Sequence, residues 1–147
     1  MALHLGARPP KLAVIADDDE GCRALLASWL SELGFVVHAS RDGVELVDRL
    51  DGLERDGLLR RPFLVVTDVD MPRQNGLDAV GVIRRRFALA RVVLMSGLGD
   101  PLVKLRGLAL GAAALIQKPF SRSRLTKAIE QALGTASART RIIGGAW

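Results

Sequence analysis

Short apolar runs alternate with longer amphipathic stretches over most of this chain. The runs Leu12–Ala16, Phe35–Ala39, Phe63–Thr67, Arg91–Met95 and Ala112–Gln117 are largely continuous and rich in Val, Ile or Leu. That is the pattern of strands buried on both faces, so five strands are predicted. Between the first two runs, Cys22, Leu25, Leu26, Trp29, Leu30 and Leu33 recur at helical spacing and share one face. Further helices are predicted over Val44–Leu53, Leu77–Phe87, Leu102–Leu110 and Leu125–Leu133, the last with Leu125, Ala128, Ile129, Ala132 and Leu133 on one side. Strict strand-helix alternation predicts an α/β fold, a doubly wound parallel sheet with right-handed crossovers and helices on both faces. Gly34 is placed to stop the first helix, and Ser121 or Ser123 to cap the last one after Pro119. The segment Asp51–Pro62, with two glycines and charges of both signs, reads as a longer connection. One domain over 11–134 is expected, with an extension at 1–10 and a poorly ordered tail at 135–147.

Composition narrows the function classes. A chain of 147 residues fits a single domain that folds without staples. Its 21 Lys and Arg against 16 Asp and Glu give a formal charge of +5, which alone would allow a nucleic-acid partner. The cations are dispersed, however, as Arg60-Arg61, Arg84-Arg85-Arg86, Arg122 with Arg124, and Arg139 with Arg141, and there is no Tyr to stack on bases. Solvated faces explain that pattern better. Cys22 is the single cysteine, which excludes an intrachain disulfide and a cysteine-rich zinc site and fits a reducing compartment. His4 and His38 have no partner at metal-binding spacing. No leader pattern opens the chain, and no window approaches the ~18 apolar residues of a membrane span. A soluble, cytoplasmic protein is expected.

The chemistry gathers at strand ends. Asp17, Asp18 and Asp19 follow the first apolar run, Asp68 ends the third, Ser96-Gly97 the fourth, and Lys118-Pro119 the fifth. Acids at the edge of a core are costly unless a metal or a lysine neutralises them. In an open parallel sheet, ligands bind outside the carboxyl ends of the strands. Close carboxylates make a hard oxygen site suited to Mg2+, and a phosphoryl oxygen would complete it. An Asp can then act as nucleophile to form an acyl phosphate, with a lysine and a hydroxyl meeting the transferred group. Each residue also has a bland explanation. Asp17 to Glu20 would serve as a helix-capping turn, Asp68 and Asn75-Gly76 as turn residues, Ser96-Gly97 as a strand exit, and Lys118 as a surface charge. Capping alone does not call for a lysine and a hydroxyl at two other ends of the same sheet.

The chain resembles a response-regulator receiver domain of the chemotaxis type. The motifs are Asp17-Asp18, then Asp68-Val69-Asp70-Met71-Pro72 with Asn75-Gly76, Met95-Ser96-Gly97, and Lys118-Pro119-Phe120. This resemblance implies a flavodoxin-like (βα)5 sheet in the order 2-1-3-4-5, which brings Asp17-Asp18 beside Asp68. It implies Asp68 as phosphoacceptor, with Asp18 and Asp68 binding Mg2+ directly, Asp17 acting largely through water, and Asp70 lending its backbone carbonyl. Ser96 is similar to the family's switch hydroxyl, Lys118 to its phosphate-binding lysine, and the Lys118-Pro119 bond to one that is cis in the family. Leu115 departs from the pattern, standing where an aromatic commonly rotates on activation. The Asp70 side chain is placed to alter the lifetime of the modified state.

The same resemblance implies a signalling switch that catalyses only its own phosphorylation and dephosphorylation. Its expected partners are a histidine kinase or phosphotransfer protein and a downstream effector, met through the face of the fourth helix, fifth strand and fifth helix. Pairing of two copies through that face is compatible with the resemblance, whereas direct DNA binding and membrane contact are not expected. Only 13 residues follow Gly134, so a stand-alone receiver or a fragment of a longer protein is expected. Two alternatives remain open. A haloacid-dehalogenase-type phosphatase would use Asp68-Val69-Asp70, Ser96 and Lys118, but its further acids follow the lysine and no Asp lies after Lys118 here. A phosphate-independent interaction module is the other, for which Leu115 leaves room.

Overall fold

The computed structural model describes residues 11–71, 75–97 and 101–134. Its elements alternate without exception as β1 (Lys11–Ala16), α1 (Glu20–Glu32), β2 (Phe35–Ser40), α2 (Gly43–Arg55), β3 (Phe63–Asp68), α3 (Gly76–Arg86), β4 (Ala90–Ser96), α4 (Pro101–Ala109), β5 (Ala114–Gln117) and α5 (Arg122–Leu133). The five strands are parallel and ordered β2-β1-β3-β4-β5, as expected. The expected terminal segments 1–10 and 135–147 lie outside the described residues.

Period-two alternation along the strands splits the core into two layers. Ala13, Ile15, Leu64, Val66, Val93 and Met95 pack with Leu26, Leu30, Leu125 and Ile129 of α1 and α5. Val14, Ala16, Val65, Val92 and Leu94 pack on the other face with Leu46, Leu50, Val80 and Ile83 of α2 and α3. Gly34 ends α1 with φ of 94°, a left-handed value that favours glycine. Ser121, the nearer of the two predicted caps, accepts a hydrogen bond from the Arg124 amide at 3.1 Å.

Two local expectations need correction. The segment from Asp51 is not all connection, because α2 continues to Arg55. Leu53 falls three residues after Leu50 and is buried beside it, so packing carries the helix through Gly52. On α1, Leu26 and Leu30 are fully buried while Leu25 is 49 % exposed, so the apolar stripe is wider than the buried face.

Register decides what meets at the top of the sheet. Ala16 pairs with Thr67, so the next residues, Asp17 and Asp68, emerge side by side. Asp68 pairs with Met95, and Ser96 with Gln117, which sets Ser96 and Lys118 on the neighbouring strand ends.

Candidate functional site

Asp17 and Asp68 are buried where β1 and β3 end, and Asp18 between them is exposed. The Lys118 ammonium reaches across from the end of β5 and donates to Asp17 Oδ2 at 2.7 Å and Asp68 Oδ2 at 2.5 Å. The Lys118 amide donates to the Ser96 carbonyl at 2.7 Å, tying the fourth and fifth strand ends together. Ser96 is itself buried. The Lys118-Pro119 bond is cis.

Backbone amides complete the cradle. The Asp19 amide donates to Asp17 Oδ1 at 2.9 Å, and the Asp70 amide to Asp68 Oδ1 at 3.0 Å. Asp19 turns away and caps α1, accepting from the Gly21 and Cys22 amides, while Glu20 opens that helix. The structure therefore divides the acidic run. Asp17 and Asp18 face Asp68, and Asp19 belongs to the helix entry.

Competing effects set the protonation of the cluster. Burial pulls the Lys118 ammonium toward neutrality, but its hydrogen bonds and charge contacts with Asp17 and Asp68 outweigh that and hold its pKa above the usual lysine range. Burial pushes Asp17 up, yet hydrogen bonds from the Cys22 thiol, Lys118 and the Asp19 amide leave it below the ordinary carboxylate value. At Asp68 burial wins, helped by the nearby Asp17 charge, and its pKa is raised despite Lys118 and the Asp70 amide. Burial and the bond to Asp17 push the Cys22 thiol up to about 11, so it stays protonated and donates.

Asp17, Asp18 and Asp68 each offer an oxygen within 4.8 Å of the others. Oxygens sharing an octahedral Mg2+ at about 2.1 Å sit roughly 3–4 Å apart, so small side-chain rotations would close this set on such an ion. The all-oxygen donor chemistry fits a hard cation.

Two contributors lie outside the site residues expected from the sequence, and a third, expected only as a turn residue in the Asn75-Gly76 motif, has a tighter role. Cys22 contacts Asp17, and Arg23 Nη1 donates to the Asp17 carbonyl at 2.7 Å, pinning the end of β1 from the first turn of α1. Their signal was position, since a helix opening at Glu20 places its first turn over that strand end. Gly76 is the third. Its amide donates to the Val69 carbonyl at 2.9 Å, and a Cβ there would overlap the Asp68 carbonyl oxygen. The start of α3 thus presses directly on the backbone of Asp68, a requirement that only the folded contact reveals.

Comparison with known proteins gives the family and the fold. Residues 13–130 match the model of the response regulator receiver domain. The transcriptional regulatory protein PdtaR of Mycobacterium tuberculosis is 38% identical over 128 residues, covering 86% of this chain and 58% of that protein. PetR of Rhodobacter capsulatus is 35% identical over 121 residues, covering 82% of this chain and 47% of PetR. The chain therefore spans about half the length of these relatives. Among solved structures, the chemotaxis response regulator CheY4 of Vibrio cholerae superposes with a TM-score of 0.72 at 23% identity, over 85% of this chain and all of that one.

Proposed function

We propose that this chain, which belongs to the response regulator receiver domain family, is switched by transfer of a phosphoryl group to Asp68. Receiver domains are signalling modules rather than turnover enzymes, and they act between kinases and effectors. The observation that carries the residue assignment is the bridge from Lys118 to both Asp17 and Asp68 at one end of the sheet. It joins a nucleophile, a fixed cation and a hard oxygen site within one small volume.

In the proposed step an Asp68 carboxylate oxygen attacks the phosphorus of a phosphohistidine. The new O–P bond forms as the P–N bond breaks, and the imidazole leaves with the bonding pair. The raised pKa of Asp68 marks a carboxylate destabilised by burial, whose charge Lys118 meets before reaction. After transfer, the Lys118 ammonium is within reach of the added phosphoryl oxygens, and the Ser96 hydroxyl at the neighbouring strand end takes another. Asp17, Asp18, Asp68 and the Asp70 carbonyl would hold Mg2+, which when bound neutralises negative charge on the transferring group. The Asp70 side chain, exposed two residues after Asp68, is proposed to tune the lifetime of the acyl phosphate.

The donor is proposed to be a histidine kinase or phosphotransfer protein in the cytoplasm, and the readout a changed α4-β5-α5 surface that an effector reads. Among the described residues, no helix is long and apolar enough to cross a membrane. The phosphatase alternative finds no support in the comparisons. The test is labelling by acetyl phosphate or phosphoramidate. Label is expected on wild type with Mg2+ and lost in Asp68→Asn or with chelator; a wild-type protein that takes no label overturns the proposal.

A further inference from the structure

The face between α4 and α5 has a one-sided character. Lys104, Arg124 and Lys127 line the groove over Leu115, Ile116 and Gln117, and no acid is among the described lining residues. All three cations are exposed, and none is paired with an acid among the described residues. Beside them the outer surface of α4 carries Leu102 at 66 % exposed, Leu105 at 62 % and Leu108 at 44 %. At about 100° per residue these three leucines spread over one outward arc of the helix. Glu130 is exposed on α5 but lies outside the groove lining.

A two-fold pairing through this face would set Lys104, Arg124 and Lys127 of one copy against the same cations of the other. Like charges brought together at an interface suppress that partner. The leucines nonetheless form an apolar strip that water covers poorly. We infer that the α4-β5-α5 face of this chain takes an acidic amphipathic segment of another protein, leucine arc against its apolar side and the three cations against its acids, and that it does not pair with itself. The inference rests on the proposed output role of this face and adds the chemistry of the partner.

Two fluorescein-labelled amphipathic helical peptides serve as probes, one with leucines flanked by glutamates and one with lysines in place of the glutamates. Anisotropy is read with and without acetyl phosphate and Mg2+, with Asp68 labelling followed in the same samples. The acidic peptide is expected to bind wild type at least about tenfold more tightly than the basic one, since each exposed charge pair is worth a few-fold. Lys104→Glu/Arg124→Glu/Lys127→Glu is expected to reverse the preference, and Leu105→Ser to weaken both peptides. Arg60→Glu/Arg61→Glu/Arg85→Glu, the same charge change placed elsewhere, is expected to retain it. Equal losses in the two triple variants, or equal binding of both peptides, overturn the inference. So does a wild-type dimer in sedimentation that Leu105→Ser dissolves. Absence of preference in protein labelled at Asp68 sinks this inference alone. A protein that takes no label but shows the preference and its reversal sinks the phosphorylation reading alone.

Discussion

Helices α2 and α4 lie on the same side of the sheet but are held by different means. The first is 13 residues long, capped by Asp42, and buries Leu46, Leu50 and Leu53. The second is nine residues long and buries only Gly107. A fully buried leucine contributes about 1.5–3 kcal/mol, so side-chain burial anchors α2 in a way that α4 lacks. What seats α4 is a close backbone approach, since a Cβ on Gly107 would overlap Leu94 of β4. A helix held by few apolar anchors shifts at low cost, while one held by three leucines does not. Having the loosely anchored element next to the strand ends suits the proposed switch, in which a change of charge at the site alters a surface.

The sharpest way to break this contrast is to remove an anchor from α2. Leu50→Ala is expected to lose about 2–5 kcal/mol of stability in urea titrations, because it empties a site with no exposure. A loss below the scale of a surface substitution would mean that α2 is no better anchored than α4. Next comes Gly107→Ala, expected to cost about 1–3 kcal/mol by overpacking against Leu94 and to move amide resonances of α4 while leaving α2 in place. Resonance changes spread evenly over both helices would contradict the backbone-seating account. Removing the cap with Asp42→Ala is expected to cost about 1 kcal/mol, since the Glu45 amide then loses its acceptor at 2.8 Å. Leu105→Ser is expected to change stability by less than about 0.5 kcal/mol. A larger loss in the same titration would show that α4 is anchored after all.

The sequence made the strands legible because each is an apolar run bounded by polar residues, and register then follows once the strand order is known. Asp17, Asp18, Asp68 and Lys118 were legible for the same reason, as charged residues directly after such runs. Gly107 was not, and Gly76 was legible only as part of the Asn75-Gly76 turn, because the need for a missing side chain arises from the fold. Nothing local distinguishes Gly107 from Gly52, which sits within α2 with only the Arg55 side chain nearby. The leucines of α4 show the converse, that helical spacing alone does not say which face is buried. They are exposed, and the buried contact is made by Gly107 and partly by Val103. The end of α2 was read at Leu53 rather than Arg55, and the burial of Leu53 decides for helix where the segment from Asp51 also read as a connection.

Trp29 packs edge-on against Phe120 with ring centroids 6.2 Å apart, and both line one groove with Cys22 and Lys118. An indole this near the site is a built-in optical reporter. The chain holds two tryptophans, so Trp147→Phe leaves Trp29 as the sole emitter. Its fluorescence is then expected to change on arrival of cation, phosphoryl group or donor protein, read in real time without an attached dye.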